Sequence, residues 1–70
     1  MNGHHVITQR EQEMLEWLKQ GKTSWEIGQI LGISENTVNF HIKNLMKKLE
    51  AVNRPHLVAV AVEKRLLNID

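Results

Sequence analysis

Apolar residues return along this chain every three or four positions, the repeat that lines one face of a helix. A residue suited to start a helix precedes each such stretch. Thr8 and Glu11 have capping-box spacing, and Met14, Leu15 and Leu18 follow on one face with Arg10, Glu13, Glu16 and Lys19 on the other. Gly21 stands as the C′ residue, so the first helix is predicted over Gln9–Gln20. A second capping box, Thr23 with Glu26, opens a short helix that stops before Gly32 and carries Ile27, Ile30 and Leu31 as its apolar face. Ser34 is a third N-cap after the turn Gly32-Ile33-Ser34, and nothing from Glu35 to Leu49 breaks a helix. Asn53-Arg54-Pro55 marks the next boundary. Proline fits the first turn of a fourth helix, which runs through the apolar stretch Leu57 to Val62 and the helix formers Glu63 to Leu67. The valines there also suit a strand, but the chain offers no second strand for it to pair with. The expected fold is all-α, a four-helix bundle with no internal repeat and no linker. Residues 1–6 form a flexible lead-in, and 7–70 form one domain.

The third helix has two distinct faces. At about 100° per residue, Val38, Ile42, Leu45 and Leu49 fall in a narrow apolar stripe. Opposite them lie Asn36, Phe40, Lys43 and Lys47, flanked by Asn39 and Asn44. A phenylalanine among amides and lysines is unusual for a face that is only solvated. A surface that reads base edges has a use for it: asparagine pairs with adenine, lysine with guanine or a phosphate, and an apolar side chain meets a thymine methyl. The bland alternative is that Phe40 folds onto a neighbouring helix and the lysines only solubilise.

Charge placement separates the two. From Lys22 to Arg54 there are five basic residues (Lys22, Lys43, Lys47, Lys48, Arg54) against three acidic ones (Glu26, Glu35, Glu50), although the whole chain has a net charge of only +1. Positive charge concentrated on and beside the third helix is the footprint of a phosphate-facing surface. A short helix, a glycine-containing turn and a second helix with an exposed polar face form the helix-turn-helix pattern, which sets its second helix in the major groove. Thr23 and Ser24 start the first helix of that pair, where hydroxyls and free N–H groups suit a phosphate oxygen. Helix capping uses one of them and leaves the other free.

The fourth helix is apolar on two sides. Leu57, Val60 and Ala61 close the core, while Val58, Ala59, Val62 and Leu66 make a second stripe that a one-sided surface helix does not need. A two-fold homodimer would bury that stripe against its own copy. Scattered exposed apolar residues, common on monomers, are the plainer reading.

Composition removes other chemistries. The chain has 70 residues, 41% of them hydrophobic, which allows one small core and no enclosed cofactor cavity. With no cysteine there is no disulfide, thiolate zinc site or cysteine nucleophile. His4 and His5 are adjacent, His41 and His56 lie on different helices, and no pair has metal-ligand spacing. Ser24 and Ser34 are explained as helix starts, so no catalytic set remains and neither an enzyme nor a cofactor is expected. Trp17 and Trp25 are expected to be partly buried. No apolar run approaches the ~20 residues that span a bilayer, and Met1 to Val6 lacks a signal-peptide pattern, which gives a cytoplasmic protein without membrane contact.

A family resemblance covers Val6 to Leu67 without gaps. Ile7-Thr8-Gln9-Arg10-Glu11, Met14-Leu15, Gly21-Lys22, Glu26-Ile27-Gly28, Leu31-Gly32-Ile33-Ser34, Thr37 to His41, Lys48-Leu49 and Asn53-Arg54 together resemble the LuxR-type helix-turn-helix domain. Lys22 to Ile27 and Thr37 to His41 look most like its quorum-sensing branch, which responds to acyl-homoserine lactones. The resemblance implies a transcriptional regulator that binds double-stranded DNA, with helices two and three as the DNA-binding pair and helix four as a homodimer contact. By position, Asn39, Phe40 and Lys43 would meet bases, with Asn36 beside them on the same face. Lys22, Thr23, Ser24, Ser34, Thr37, His41 and Lys47 would lie near phosphates. Arg10, Glu11 and Glu26 would be structural charges. Members normally carry an N-terminal ligand-binding or phosphoacceptor domain, so these residues represent either an excised effector domain or a short regulator without its own sensor. Protein partners would be RNA polymerase or a full-length family member. In the second case the domain acts as a decoy, pairing through helix four to block a regulator, a role that needs none of the polar residues retained on helix three.

Overall fold

The computed structural model describes residues 6–68. Apart from Val6, the expected lead-in lies outside that range, as do His4 and His5. Four helices follow in order: α1 (Gln9–Lys19), α2 (Ser24–Leu31), α3 (Glu35–Leu49) and α4 (Arg54–Glu63), with no strand among the described residues.

The helix starts are determined locally. Thr8 Oγ1 accepts from the Glu11 N–H at 3.1 Å while Glu11 Oε1 accepts from the Thr8 N–H at 3.0 Å. Thr23 and Glu26 repeat this reciprocal pair at 3.1 and 2.8 Å. Ser34 caps α3 through the Thr37 N–H, and Asn53 caps α4 through the His56 N–H, with Pro55 in the first turn. Each cap satisfies an N–H that the helix itself cannot.

The helix ends carry the differences from expectation. Gly21, at φ +84°, follows α1 as expected, although regular helix stops at Lys19. Gly32, at φ +73°, ends α2, and both the Gly32 and Ile33 N–H groups donate to the Gly28 carbonyl. Glu50 takes the left-handed conformation after α3, at φ 55°, without the glycine or asparagine that would signal a stop. The fourth helix does not continue to Leu67. It ends at Glu63, Arg65 turns left-handed at φ 63°, and the Leu66 N–H donates back to the Ala61 carbonyl at 2.8 Å. That reversal carries Leu67 into the core, where burying a leucine is worth about 1.5–3 kcal/mol. Gln12 and Lys19 then hold the tail against α1 by donating to the Leu66 and Asn68 carbonyls at 2.7 and 3.0 Å.

The core joins Met14, Leu15 and Leu18 of α1, Ile27 of α2, Leu57 and Ala61 of α4, and Leu67 around the α3 stripe Val38, Ile42, Leu45 and Leu49. Ile30 does not share the face expected of it. It is 45% exposed, and Gly28 takes the buried place on α2 beside Ile27. A Cβ at Gly28 would stand 2.7 Å from the Ile33 carbonyl oxygen, so only glycine lets α2 approach the turn this closely.

An ion pair ties α1 to the far end of α3. Lys48 Nζ lies 2.7 Å from Glu11 Oε1 and donates as well to the Val6 carbonyl at 2.9 Å. Burial pushes the Glu11 carboxyl up, but hydrogen bonds from Lys48 and from the Thr8 N–H, with the Lys48 charge, outweigh it and hold the carboxyl below its ordinary range. A carboxylate whose folded value is lowered contributes stability above its ordinary value, near pH 4.3, and loses it as the pH falls through the folded value. Glu11→Gln keeps a capping side chain but removes the ion pair. Its expected cost at pH 7 is about 1–3 kcal/mol, with a shallower loss on acidification than the parent. Urea unfolding at pH 7 and pH 3 checks this; parallel losses would remove Glu11 as the source.

Candidate nucleic-acid interface

With its apolar stripe buried, α3 turns Asn36, Phe40, Lys43 and Lys47 to solvent, and Asn39 is exposed beside them. Phe40 is 61% exposed. Its one recorded ring partner is His41, the next residue, edge-to-face with centroids 5.8 Å apart. The alternative in which Phe40 packs onto a neighbouring helix is therefore not what this fold adopts. His41 itself is half-buried at the edge of that face.

Around the helix starts, Thr23, Ser34 and Thr37 are exposed and Lys22 is half-buried. The Ser34 and Thr37 hydroxyls lie 2.9 Å apart over the first turn of α3. Ser24 differs from expectation. Its residue is buried, and its hydroxyl is not left free by the Thr23 cap: it donates to Asn39 Oδ1 at 2.5 Å and accepts from Arg54. Arg54 Nη2 donates to the same Asn39 oxygen at 2.9 Å.

The five basic residues divide by this geometry. Lys48 is bound to Glu11, and Arg54 is held inside the Ser24–Asn39 cluster. Lys22, Lys43, Lys47 and Arg54 make no ion pair among the described residues, and of these Arg54 donates to the neutral Ser24 and Asn39 side chains. Glu26 stays with its cap: the Thr23 N–H lowers the Glu26 carboxyl below its ordinary range. Arg10 forms a surface pair with Glu13 at 3.2 Å.

Sequence reasoning missed two features here. Arg54 was read as surface charge, when its guanidinium joins α4 to α2 and α3; its place in the Asn53-Arg54 pair was the one available signal. Trp25 is 59% exposed on α2, not partly buried like Trp17, and stands on the helix next to the cluster. On α4, Ala59 is exposed, but Val58, Val62 and Leu66 are half-buried and pack partly on the protein's own core. Val58 also lines an open cleft of about 470 Å³ with Leu18, Gly21, Lys22, Arg54 and Pro55. Among the described residues no three metal-ligating side chains converge, and no helix is long and apolar enough to cross a membrane.

A capped helix pair joined by a tight glycine turn, the second helix buried on one face and polar on the other, defines a helix-turn-helix domain. The chain belongs to the luxR family of bacterial regulatory proteins, whose family model matches residues 5–61. It is 52% identical over 62 residues to the transcriptional activator protein SolR of Ralstonia solanacearum, covering 89% of this chain and 26% of that protein. It is 50% identical over 61 residues to the regulatory protein SdiA of Escherichia coli, covering 87% and 25%. With the transcriptional activator protein LuxR of Aliivibrio fischeri the identity is 41% over 63 residues, covering 90% and 25%. The chain therefore spans about a quarter of the length of these relatives. Among solved structures, the response regulator ChrA of a heme-sensing two-component system superposes with a TM-score of 0.88 at 33% identity, covering 91% of this chain and 32% of that one. Of these relatives, SolR and LuxR are named as activators of transcription.

Because Phe40 contributes little to the fold, Phe40→Ala is expected to leave stability within about 0.5 kcal/mol. Thermal unfolding checks this, and a loss of several kcal/mol would return Phe40 to the core.

Proposed function

We propose that residues 7–70 act as one unit that binds double-stranded DNA sequence-specifically and regulates transcription in the cytoplasm. The recognition helix α3 lies in the major groove. The observation that carries this reading is the exposed face of α3, where an unburied phenylalanine stands among asparagines and unpaired lysines directly opposite a dry apolar stripe. Asn36, Asn39, Phe40 and Lys43 meet base edges. Lys22, Thr23, Ser34, Thr37, His41 and Lys47, with the Ser24 N–H, meet phosphates. Family membership and the names of the relatives support regulation of transcription; higher identity to the SolR, SdiA and LuxR proteins than to the response regulator supports the quorum-sensing branch.

The domain works as a homodimer through α4, with Val58, Ala59, Val62 and Leu66 meeting their own copy. Two recognition helices then fall on half-sites about 34–36 Å apart. The half-buried state of three of these residues leaves only a small patch for the partner, so DNA contributes to holding the dimer together. RNA polymerase is the protein partner such a regulator would address.

Selection of bound sequences from a random duplex pool at ~150 mM salt tests the reading, since lower salt inflates nonspecific affinity. A two-fold symmetric site is the expected product, and recovery of nothing above background would overturn it. Lys22→Ala or Lys47→Ala should weaken binding to all sequences and lower the salt slope by about one, whereas Lys43→Ala or Phe40→Ala should cost about 1–3 kcal/mol of discrimination between sites. Titrations at several salt concentrations separate the two classes. Val62→Glu should abolish self-association in sedimentation velocity; an unchanged profile removes α4 from the interface.

A further inference from the structure

Resting on the reading of α3 as a base-contacting helix, we propose that Arg54 is a positioning residue that locks the Asn39 amide as a donor, so that this position selects guanine rather than adenine.

The inference starts from which atoms meet. Arg54 Nη2 donates to Asn39 Oδ1 at 2.9 Å, and Ser24 Oγ donates to the same oxygen at 2.5 Å. An arginine has no acceptor, so the amide atom facing it must be the carbonyl oxygen. That oxygen has two acceptor sites, and the two donors fill both. Asn39 Nδ2 has no hydrogen-bond partner among the described residues, and Asn39 is exposed. Ser24 is buried, so flipping the amide or recruiting its oxygen elsewhere would strand a buried hydroxyl and a half-buried guanidinium.

The cluster also joins three elements: the first residue of α2, the second turn of α3 and the first residue of α4. The amide orientation is thus set by how the helices pack, before any DNA arrives. Asparagine usually reads adenine with both ends of its amide, accepting from N6 and donating to N7. Here the accepting end is taken. A donor alone meets two acceptors on guanine, N7 and O6, but one acceptor and an opposing N6 donor on adenine.

The test is sequence selection from a random duplex pool with the parent domain, Asn39→Asp, Arg54→Met, Arg54→Lys and Ser24→Ala, each checked for folding by circular dichroism. In the parent, one base pair per half-site should prefer guanine by about tenfold. Asn39→Asp keeps an acceptor for Arg54 but presents a second acceptor outward, and should move that base to cytosine. Arg54→Met frees Oδ1 and should move it toward adenine, with other positions and the salt slope unchanged; Arg54→Lys, which retains a donor, should restore guanine. Ser24→Ala removes one of the two donors and should shift the base in the same direction as Arg54→Met, which keeps the test open if that variant does not fold. Adenine at this position in the parent site overturns the proposal. So does a salt slope lowered by about one in Arg54→Met, the mark of a phosphate contact. A selected site in which no base responds to residue 39 overturns the lock but leaves α3 as the reader, whereas no selected site overturns both.

Discussion

The tightest constraint in this domain lies between two stretches of backbone. Gly28 sits against the carbonyl of Ile33, closer than any side chain at 28 would permit, while its own carbonyl accepts from the Gly32 and Ile33 N–H groups of the turn that follows. That approach sets the angle at which α2 meets α3. Ser24 lies on the buried face of α2 one turn before Gly28, and it reaches Asn39 only because α2 lies this close. A larger residue at 28 would force α2 away from the turn that leads into α3.

The helix so oriented serves two masters. Its apolar stripe supplies the centre of the core and touches every other element, so α3 cannot rotate without exposing leucine and isoleucine. Rigidity on one side is what gives the other side its fixed array of side chains. The ion pair from Lys48 to Glu11 fastens the far end of the same helix to α1.

Much of this was legible in the residues because the punctuation is local. Thr8, Thr23, Ser34 and Asn53 each bond within three positions, so capping chemistry could be read from spacing alone. The α3 stripe was legible for the same reason: its period is a property of one helix. What stayed hidden depends on distant partners. Glu50 and Arg65 adopt left-handed backbone without glycine, because Ala51 and Leu66 gain carbonyl partners, and Leu67 a place in the core, when the chain turns there. Ile30 and Trp25 are exposed because α2 turns Ser24, Ile27 and Gly28 inward instead. Arg54 and Lys48 look like any surface cations in the sequence, and only the fold reveals the acceptors, 15 to 42 positions away, that claim them.

That diversion of charge has a consequence for how such a domain would find its target. A regulator must leave millions of wrong sites quickly, and its grip on them depends on the phosphates it can neutralise. By pairing Lys48 with its own Glu11 carboxylate, and tying Arg54 to an amide and a hydroxyl that hold its guanidinium in place, the fold gives up part of a general hold on the backbone. It would therefore dwell briefly on random DNA, and a lasting residence would require a sequence that fits.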